Sequence, residues 1–84
     1  MPKTKKSLTS REIFARNLRR ARRLKDLTQE ALALDAGVPR AYLSRVERGT
    51  INISIDSADA LSQALGVPLR DLVDPAMFAG FDEP

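Results

Sequence analysis

Apolar residues recur along the chain at helical spacing, in short runs separated by glycine, proline or a capping residue. Phe14, Leu18 and Ala21 fall on one helical face, and residues 9–12, Thr-Ser-Arg-Glu, fit a capping box before them. This pattern predicts a first helix that ends near Asp26.

The same signals predict four more short helices. The second is capped by Thr28 and stopped at Gly37, the third runs from Pro39 or Arg40 to Arg48 before Gly49, the fourth is capped by Ser54 and ended by Gly66, and the fifth covers residues 67–73. The inner face of the fourth is predicted to consist of Ser57, Ala58, Leu61, Ala64 and Leu65. Residues 51–55 alternate like a strand, but a single strand has no partner, so we expect an all-α bundle of five helices.

On the third predicted helix, the apolar and polar positions separate cleanly. Leu43 marks the buried face with Val46 and Glu47 beside it. The residues on the opposite face are Ala41, Ser44, Arg45 and Arg48. This helix is expected to expose a small, polar and cationic stripe.

Composition excludes most enzyme chemistry. The 84 residues are 43% hydrophobic but only 5% aromatic, which allows one domain with a modest aliphatic core. Cysteine, histidine and tryptophan are absent, so disulfides, Cys/His zinc sites and histidine acid–base schemes are excluded. Hydroxyls and carboxylates on the fourth helix have no base to activate them. We therefore expect no catalysis and no cofactor. No signal peptide or membrane span is evident, and we expect a cytoplasmic protein.

The net charge of +3 conceals two halves of opposite sign. Residues 1–50 carry thirteen Lys and Arg against five Asp and Glu, whereas residues 51–84 carry one against six. A basic half is typical of a surface that meets phosphates. Two basic features have two interpretations each: the terminal arm with Lys3, Lys5 and Lys6 either wraps a duplex or is an ordinary unstructured terminus, and the row Arg16, Arg19, Arg20 and Arg23 either contacts DNA or is a solvated helix face.

Residues 27–49, LTQEALALDAGVPRAYLSRVERG, resemble the phage-repressor, Cro-like (xenobiotic-response-element) family of helix-turn-helix domains. A Thr-Gln pair opens the second helix, Gly-Val precedes the third and Glu-Arg-Gly follows it; the similarity covers roughly residues 12–73. The resemblance implies a lambda-repressor-like DNA-binding domain whose third helix enters the major groove of double-stranded DNA. Residues 42–55 are also similar to restriction-modification controller proteins.

The resemblance also implies roles for individual residues. The expected base contacts are Arg40, Ala41, Tyr42, Ser44 and Arg45, and the expected phosphate contacts are Thr28, Gln29, Arg48 and Asn52. Arginine donates two hydrogen bonds to guanine, which makes Arg40 and Arg45 the leading candidates. Arg22 and Glu47 match a family pair that bridges the first and third helices, and the alternative for Arg22 is a contact to DNA. Tyr42 has a second interpretation, as a cover for the flank of its helix.

Two departures from the family pattern concern helix caps. Many relatives carry glutamate at position 31, where this chain has Ala31, and serine or threonine at position 39, where it has Pro39. Both changes are expected to remove a capping hydrogen bond. Leu34 is expected to project outward, either as a small patch for a partner or as an ordinary exposed leucine.

A single module of this size covers little DNA, so we expect a homodimer on a palindromic operator. The leftover apolar residues predict its interface: Leu69, Leu72, Val73, Met77 and Phe78, although part of this set must also seal the core. The predicted organisation is a basic arm over 1–8, a DNA-binding domain over 9–74 and a tail over 75–84. The expected function is a sequence-specific transcriptional regulator without a small-molecule effector; an antitoxin or adaptor that binds another protein is the alternative.

Overall fold

The computed structural model of the chain describes residues 7–79, and within this range every regular element is an α-helix. The helices are α1 (Ser10–Leu24), α2 (Gln29–Ala36), α3 (Arg40–Arg48), α4 (Ile55–Leu65) and α5 (Leu69–Leu72). The prediction of an all-α bundle of five short helices is confirmed. Most of the expected basic arm, with its three lysines, and the end of the tail from Gly80 lie outside the described residues.

Hydroxyl side chains start three of the helices, as their sequences predict. Thr9, Thr28 and Ser54 each accept a hydrogen bond from the backbone N–H three residues later, at 3.0–3.1 Å. At Thr9 the box is complete, because Glu12 accepts in return from the Thr9 N–H at 2.9 Å. At Thr28 the return bond is missing, since Ala31 has no side-chain acceptor. α2, the first helix of the candidate DNA-binding motif, therefore has one of the two capping hydrogen bonds that α1 has.

The core is built from leucines that all five helices contribute. The fully buried ones are Leu18, Leu32, Leu43, Leu61, Leu65 and Leu72. Around them α1 packs on α3 and α5, α2 packs on α3 and α4, and α4 packs on α5. This arrangement leaves the outer faces of α2 and α3 free of other helices. Leu34 of α2 is 79% exposed, as predicted.

Three details of the prediction are wrong. α1 ends at Leu24 and not near Asp26, because Asp26 takes a left-handed φ of 57°, which aspartate tolerates better than most residues. α5 starts at Leu69, after Pro68. On α4 the buried polar residue is Ser62, whose hydroxyl donates to a backbone carbonyl of its own helix at 2.8 Å, while Ser57 and Ala64 are only half-buried.

A buried asparagine, which the sequence analysis did not identify, holds the C-terminal end of the domain on α1. Asn17 is fully buried, and its Nδ2 lies 2.8–3.4 Å from the carbonyl oxygens of Asp71, Leu72 and Asp74. These carbonyls end α5 and have no further turn of helix to pair with. The only sequence signal was a polar residue between the apolar positions Phe14 and Leu18 on the inner face of α1.

Candidate nucleic-acid interface

A tight turn around Gly37 joins α2 to α3. Gly37 has a left-handed φ of 74°, which a residue with a Cβ adopts only with strain. The N–H groups of Gly37 and Val38 return to the carbonyls of Leu34 and Ala33 at 3.2 and 3.0 Å, a Schellman ending. Pro39 then enters α3 in extended conformation and gives it no side-chain cap, as predicted. Two short helices with this connection form a helix-turn-helix arrangement.

The exposed face of α3 carries the residues that were predicted to contact bases. Arg40, Ala41 and Arg45 are exposed, and Tyr42 and Ser44 are half-buried. Tyr42 packs against the edge of the core, which favours its interpretation as a cover for the flank of the helix. The remaining stripe is narrow and cationic, so α3 can approach a polyanion closely along this side.

The predicted phosphate contacts lie at the ends of α2 and α3. Thr28 uses its hydroxyl oxygen to cap α2, which leaves the first N–H groups of that helix directed outward. Gln29 donates from Nε2 to Oε1 of Glu47 at 3.0 Å and keeps a second amide N–H on the same nitrogen. Arg48 and Asn52 are exposed after the base-contact stripe. Thr28, Arg48 and Asn52 are exposed and Gln29 is half-buried, and the side chains of Thr28 and Gln29 already make a hydrogen bond inside the protein.

Glu47 is the centre of a hydrogen-bond network that joins α1, α2 and α3. Its carboxylate is 3% exposed and accepts from Arg22 Nε at 2.6 Å and Arg22 Nη2 at 3.0 Å. The same guanidinium donates from Nη1 to the carbonyl of Leu27, just before α2, at 2.8 Å. Arg19 donates to the backbone carbonyl of Glu47 at 2.9 Å, and Gln29 completes the set. One buried carboxylate therefore fixes the orientation of α3 against both neighbouring helices.

The five residues predicted for a dimer interface divide into three groups. Leu72 is fully buried in the core of the single chain, so it offers no surface to a second copy and this part of the prediction is wrong. Met77 and Phe78 are half-buried and pack on the core from outside. Leu69 and Val73 line an open apolar groove at the surface.

That groove lies between the start of α1, the start of α4 and α5. It encloses about 450 Å³, and its apolar lining residues are Phe14, Ile53, Ile55, Ala58, Leu69 and Val73. Ile55 is 73% exposed and Val73 is 44% exposed. Exposed apolar surface around a groove is typical of a surface that another molecule covers.

Other classes of site find no support in residues 7–79. Among the described residues, no group of three or more acidic side chains is placed to hold a metal ion. None of the helices in this range has both the length and the apolar character that crossing a bilayer requires.

The family model for helix-turn-helix domains, HTH_3, matches residues 18–72. The matched segment contains α2, the turn, α3, α4 and α5, together with the second half of α1. Control protein C.BamHI of Bacillus amyloliquefaciens is 42% identical over 65 residues, which cover 76% of this chain and 80% of that protein.

A solved structure is also similar to this chain. The restriction-modification controller protein C.AhdI of Aeromonas hydrophila superposes with a TM-score of 0.71 at 39% identity, over 74% of this chain and 94% of that one.

A more distant relative by sequence, antitoxin PezA of Streptococcus pneumoniae serotype 4, is 34% identical over 61 residues that cover 73% of this chain and 39% of that protein.

Proposed function

Because this chain belongs to the helix-turn-helix family of DNA-binding transcription regulators, we propose that it acts as a homodimer on a palindromic operator, with α3 in the major groove. The observation that carries the proposal is the exposed stripe on α3. Arg40, Ala41 and Arg45 point away from the core on a helix that the Glu47 network holds rigidly. Rigid presentation of a few side chains is what base recognition requires.

Within the groove, the two arginines supply most of the sequence preference. Arg40 and Arg45 each donate a pair of hydrogen bonds to O6 and N7 of a guanine. Ala41 contacts a thymine methyl group or permits close approach, and Ser44 donates to a base edge. Tyr42 covers the flank of the helix in this proposal.

Contacts to the DNA backbone fix the orientation of the motif. The N-terminus of α2 binds one phosphate through its outward N–H groups and the second amide hydrogen of Gln29. Arg48 and Asn52 bind the backbone at the C-terminal end of the stripe. These contacts add affinity but no sequence preference.

A twofold dimer places two copies of α3 about 34 Å apart, one turn of the double helix. Leu69 and Val73 in the apolar groove, with Met77 and Phe78 beside the core, form the interface in this proposal. The domain then comprises residues 9–74, and the tail from residue 75 contributes to the dimer.

Binding selection from random duplexes tests the operator proposal. We expect the recovered sequences to contain two inverted half-sites with guanines, centred about 10 base pairs apart. Affinity for the selected site should fall steeply with salt, because bound phosphates release counterions. Recovery of sequences without any shared motif would contradict specific recognition.

Analytical ultracentrifugation tests the dimer. The parent chain should sediment at about twice its mass of 9.3 kDa at micromolar concentration. Val73→Asp should sediment as a monomer, because the groove would bury an unpaired charge in the interface. Leu34→Asp is the control, since Leu34 is also an exposed apolar residue but lies on α2, away from the groove. A parent chain that stays monomeric at high micromolar concentration would exclude this dimer.

The names of two relatives suggest which genes this protein regulates. Both the C.BamHI and the C.AhdI proteins are named as controllers, and they match most of this chain. We propose that this protein likewise controls a restriction-modification operon, and the selected site should then occur upstream of that operon.

An antitoxin or adaptor function is the second candidate, which the similarity to PezA favours. In that case the acidic α4 and the tail bind a partner protein. Co-purification of a partner together with purely non-specific DNA binding would distinguish this function from that of an operator-binding regulator.

A further inference from the structure

The four arginines that form one row along α1 face two different surroundings in the folded chain. Arg16 donates from Nη2 to the carbonyl of Pro75 at 3.0 Å, and the guanidinium of Arg20 lies 5.9 Å from the ring centre of Phe78. These two hold the C-terminal segment against α1. Arg19 and Arg23 lie on the other side, next to α3. The row is therefore neither a uniform solvated face nor a uniform DNA-binding face.

Arg19 and Arg23 line a polar cleft of about 590 Å³ between α1 and the exposed side of α3. Arg48 and Ser44 line it from α3, and Gln29 lines it from the start of α2. Since Ser44 also belongs to the base-contact stripe, the cleft is continuous with the surface proposed to enter the major groove. A duplex docked on α3 would have its backbone beside this cleft.

The cleft carries a net positive charge despite the carboxylate in its wall. Glu47 is neutralised by the two-pronged pair with Arg22, whose side chain is itself only 12% exposed. Arg19, Arg23 and Arg48 add three more guanidinium groups to the lining, so the formal charge of the lining residues is positive. A low-dielectric wall with charges of one sign concentrates the field and attracts an anion of the opposite sign.

We propose that this cleft is a second phosphate-binding site, in which Arg19 and Arg23 of α1 join Arg48 to bind the sugar-phosphate backbone of the same DNA duplex. It extends the DNA-binding surface from the helix-turn-helix onto the first helix. The proposal rests on the DNA-binding function proposed above and adds a contact that carries no base preference.

The first test compares the salt dependence of DNA binding for Arg23→Gln and for Arg70→Gln. Arg23 is exposed and Arg70 has an 85% exposed side chain on α5, so each variant loses one surface charge and should fold. Arg23→Gln should flatten the plot of log K against log salt by about 0.9, with about eightfold weaker binding at 0.1 M salt to operator and random duplex alike. Arg70→Gln should keep the parent slope. Equal slopes for the two variants would overturn the proposal.

A substitution that keeps the positive charge at position 23 distinguishes a phosphate contact from a structural role of Arg23. Arg23→Lys should restore most of the slope, because an ammonium group also releases a counterion from the phosphate. Failure of lysine to restore it, with the thermal midpoint lowered in both variants, would overturn the proposal in favour of a packing role.

The second test removes the charge from the DNA and not from the protein. Single methylphosphonate linkages, which are neutral, are placed one by one along the operator. At one linkage flanking the contacted bases, neutralisation should weaken the parent several-fold and weaken Arg23→Gln clearly less, because only Arg19 and Arg48 still contact the backbone in that variant. If no linkage shows this loss of sensitivity, the second phosphate site is absent. If the parent itself shows no preference for any operator, the proposed function has failed instead, so the two failures are distinguishable.

Discussion

Replacing Arg22 with leucine is expected to lower the free energy of unfolding by about 3–5 kcal/mol. The change leaves the carboxylate of Glu47, which is 3% exposed, without the guanidinium that neutralises it. An unpaired buried charge is among the costliest defects in a small domain, and a chain of 84 residues has a total stability of roughly 4–13 kcal/mol. The variant should therefore be partly unfolded at physiological temperature.

Urea denaturation of two further variants identifies the cause. Arg22→Leu combined with Glu47→Leu should recover most of the lost stability, because both charges are then absent and apolar side chains fill the space. Arg70→Leu breaks the exposed pair with Asp71, whose atoms are 3.9 Å apart, and should leave stability almost unchanged. If Arg22→Leu cost no more than Arg70→Leu, Glu47 would not depend on its partner.

The same pair shows why the motif needs α1. Arg22 contacts the carboxylate of Glu47 on α3 and the carbonyl of Leu27 before α2. A helix of eight residues such as α2 has little stability of its own. The network fixes its position relative to α3, so the stability of the domain and the precision of DNA recognition depend on the same contacts.

Local signals predicted most of the fold. Helix caps and helix stops act within three or four residues, so their effect can be recognised from neighbouring residues in the sequence. Examples are the caps at Thr9, Thr28 and Ser54 and the stop at Gly37. The apolar periodicity of α3 identified Leu43, Val46 and Glu47 as its buried face for the same reason. These features needed no knowledge of how the helices pack.

Contacts between distant residues could not be predicted from spacing. Asn17 binds carbonyls more than fifty residues away, and Arg16 and Arg20 face the C-terminal segment only because α5 returns to α1. Leu72 looked like a surplus apolar residue until the packing placed it in the core. Only part of the Glu47 network could be predicted. The family resemblance implied Arg22, but no local pattern indicated that Arg19 contacts α3.

Replacing both Arg40 and Arg45 with alanine is expected to abolish the preference for the operator. Each arginine that binds a guanine through two hydrogen bonds contributes about 1–3 kcal/mol of discrimination. The two positions are more than one helical turn apart on α3, so their losses should nearly add, to about 2–6 kcal/mol. Affinity for the selected operator should then fall roughly 30-fold to more than 10⁴-fold and approach that for random duplex. Because both side chains are exposed, the midpoint of urea unfolding should stay close to that of the parent.

A double lysine variant separates base recognition from simple charge. Arg40→Lys with Arg45→Lys keeps both positive charges but loses the planar fork that matches the edge of guanine. It should bind random duplex about as tightly as the parent and show the same salt slope, while operator preference falls nearly as far as in the alanine variant. Fluorescence anisotropy with operator and scrambled duplexes at several salt concentrations measures both quantities. If the lysine variant kept the parent's preference, or if alanine weakened both duplexes equally, Arg40 and Arg45 would be backbone contacts and the bases would be recognised by other residues on α3.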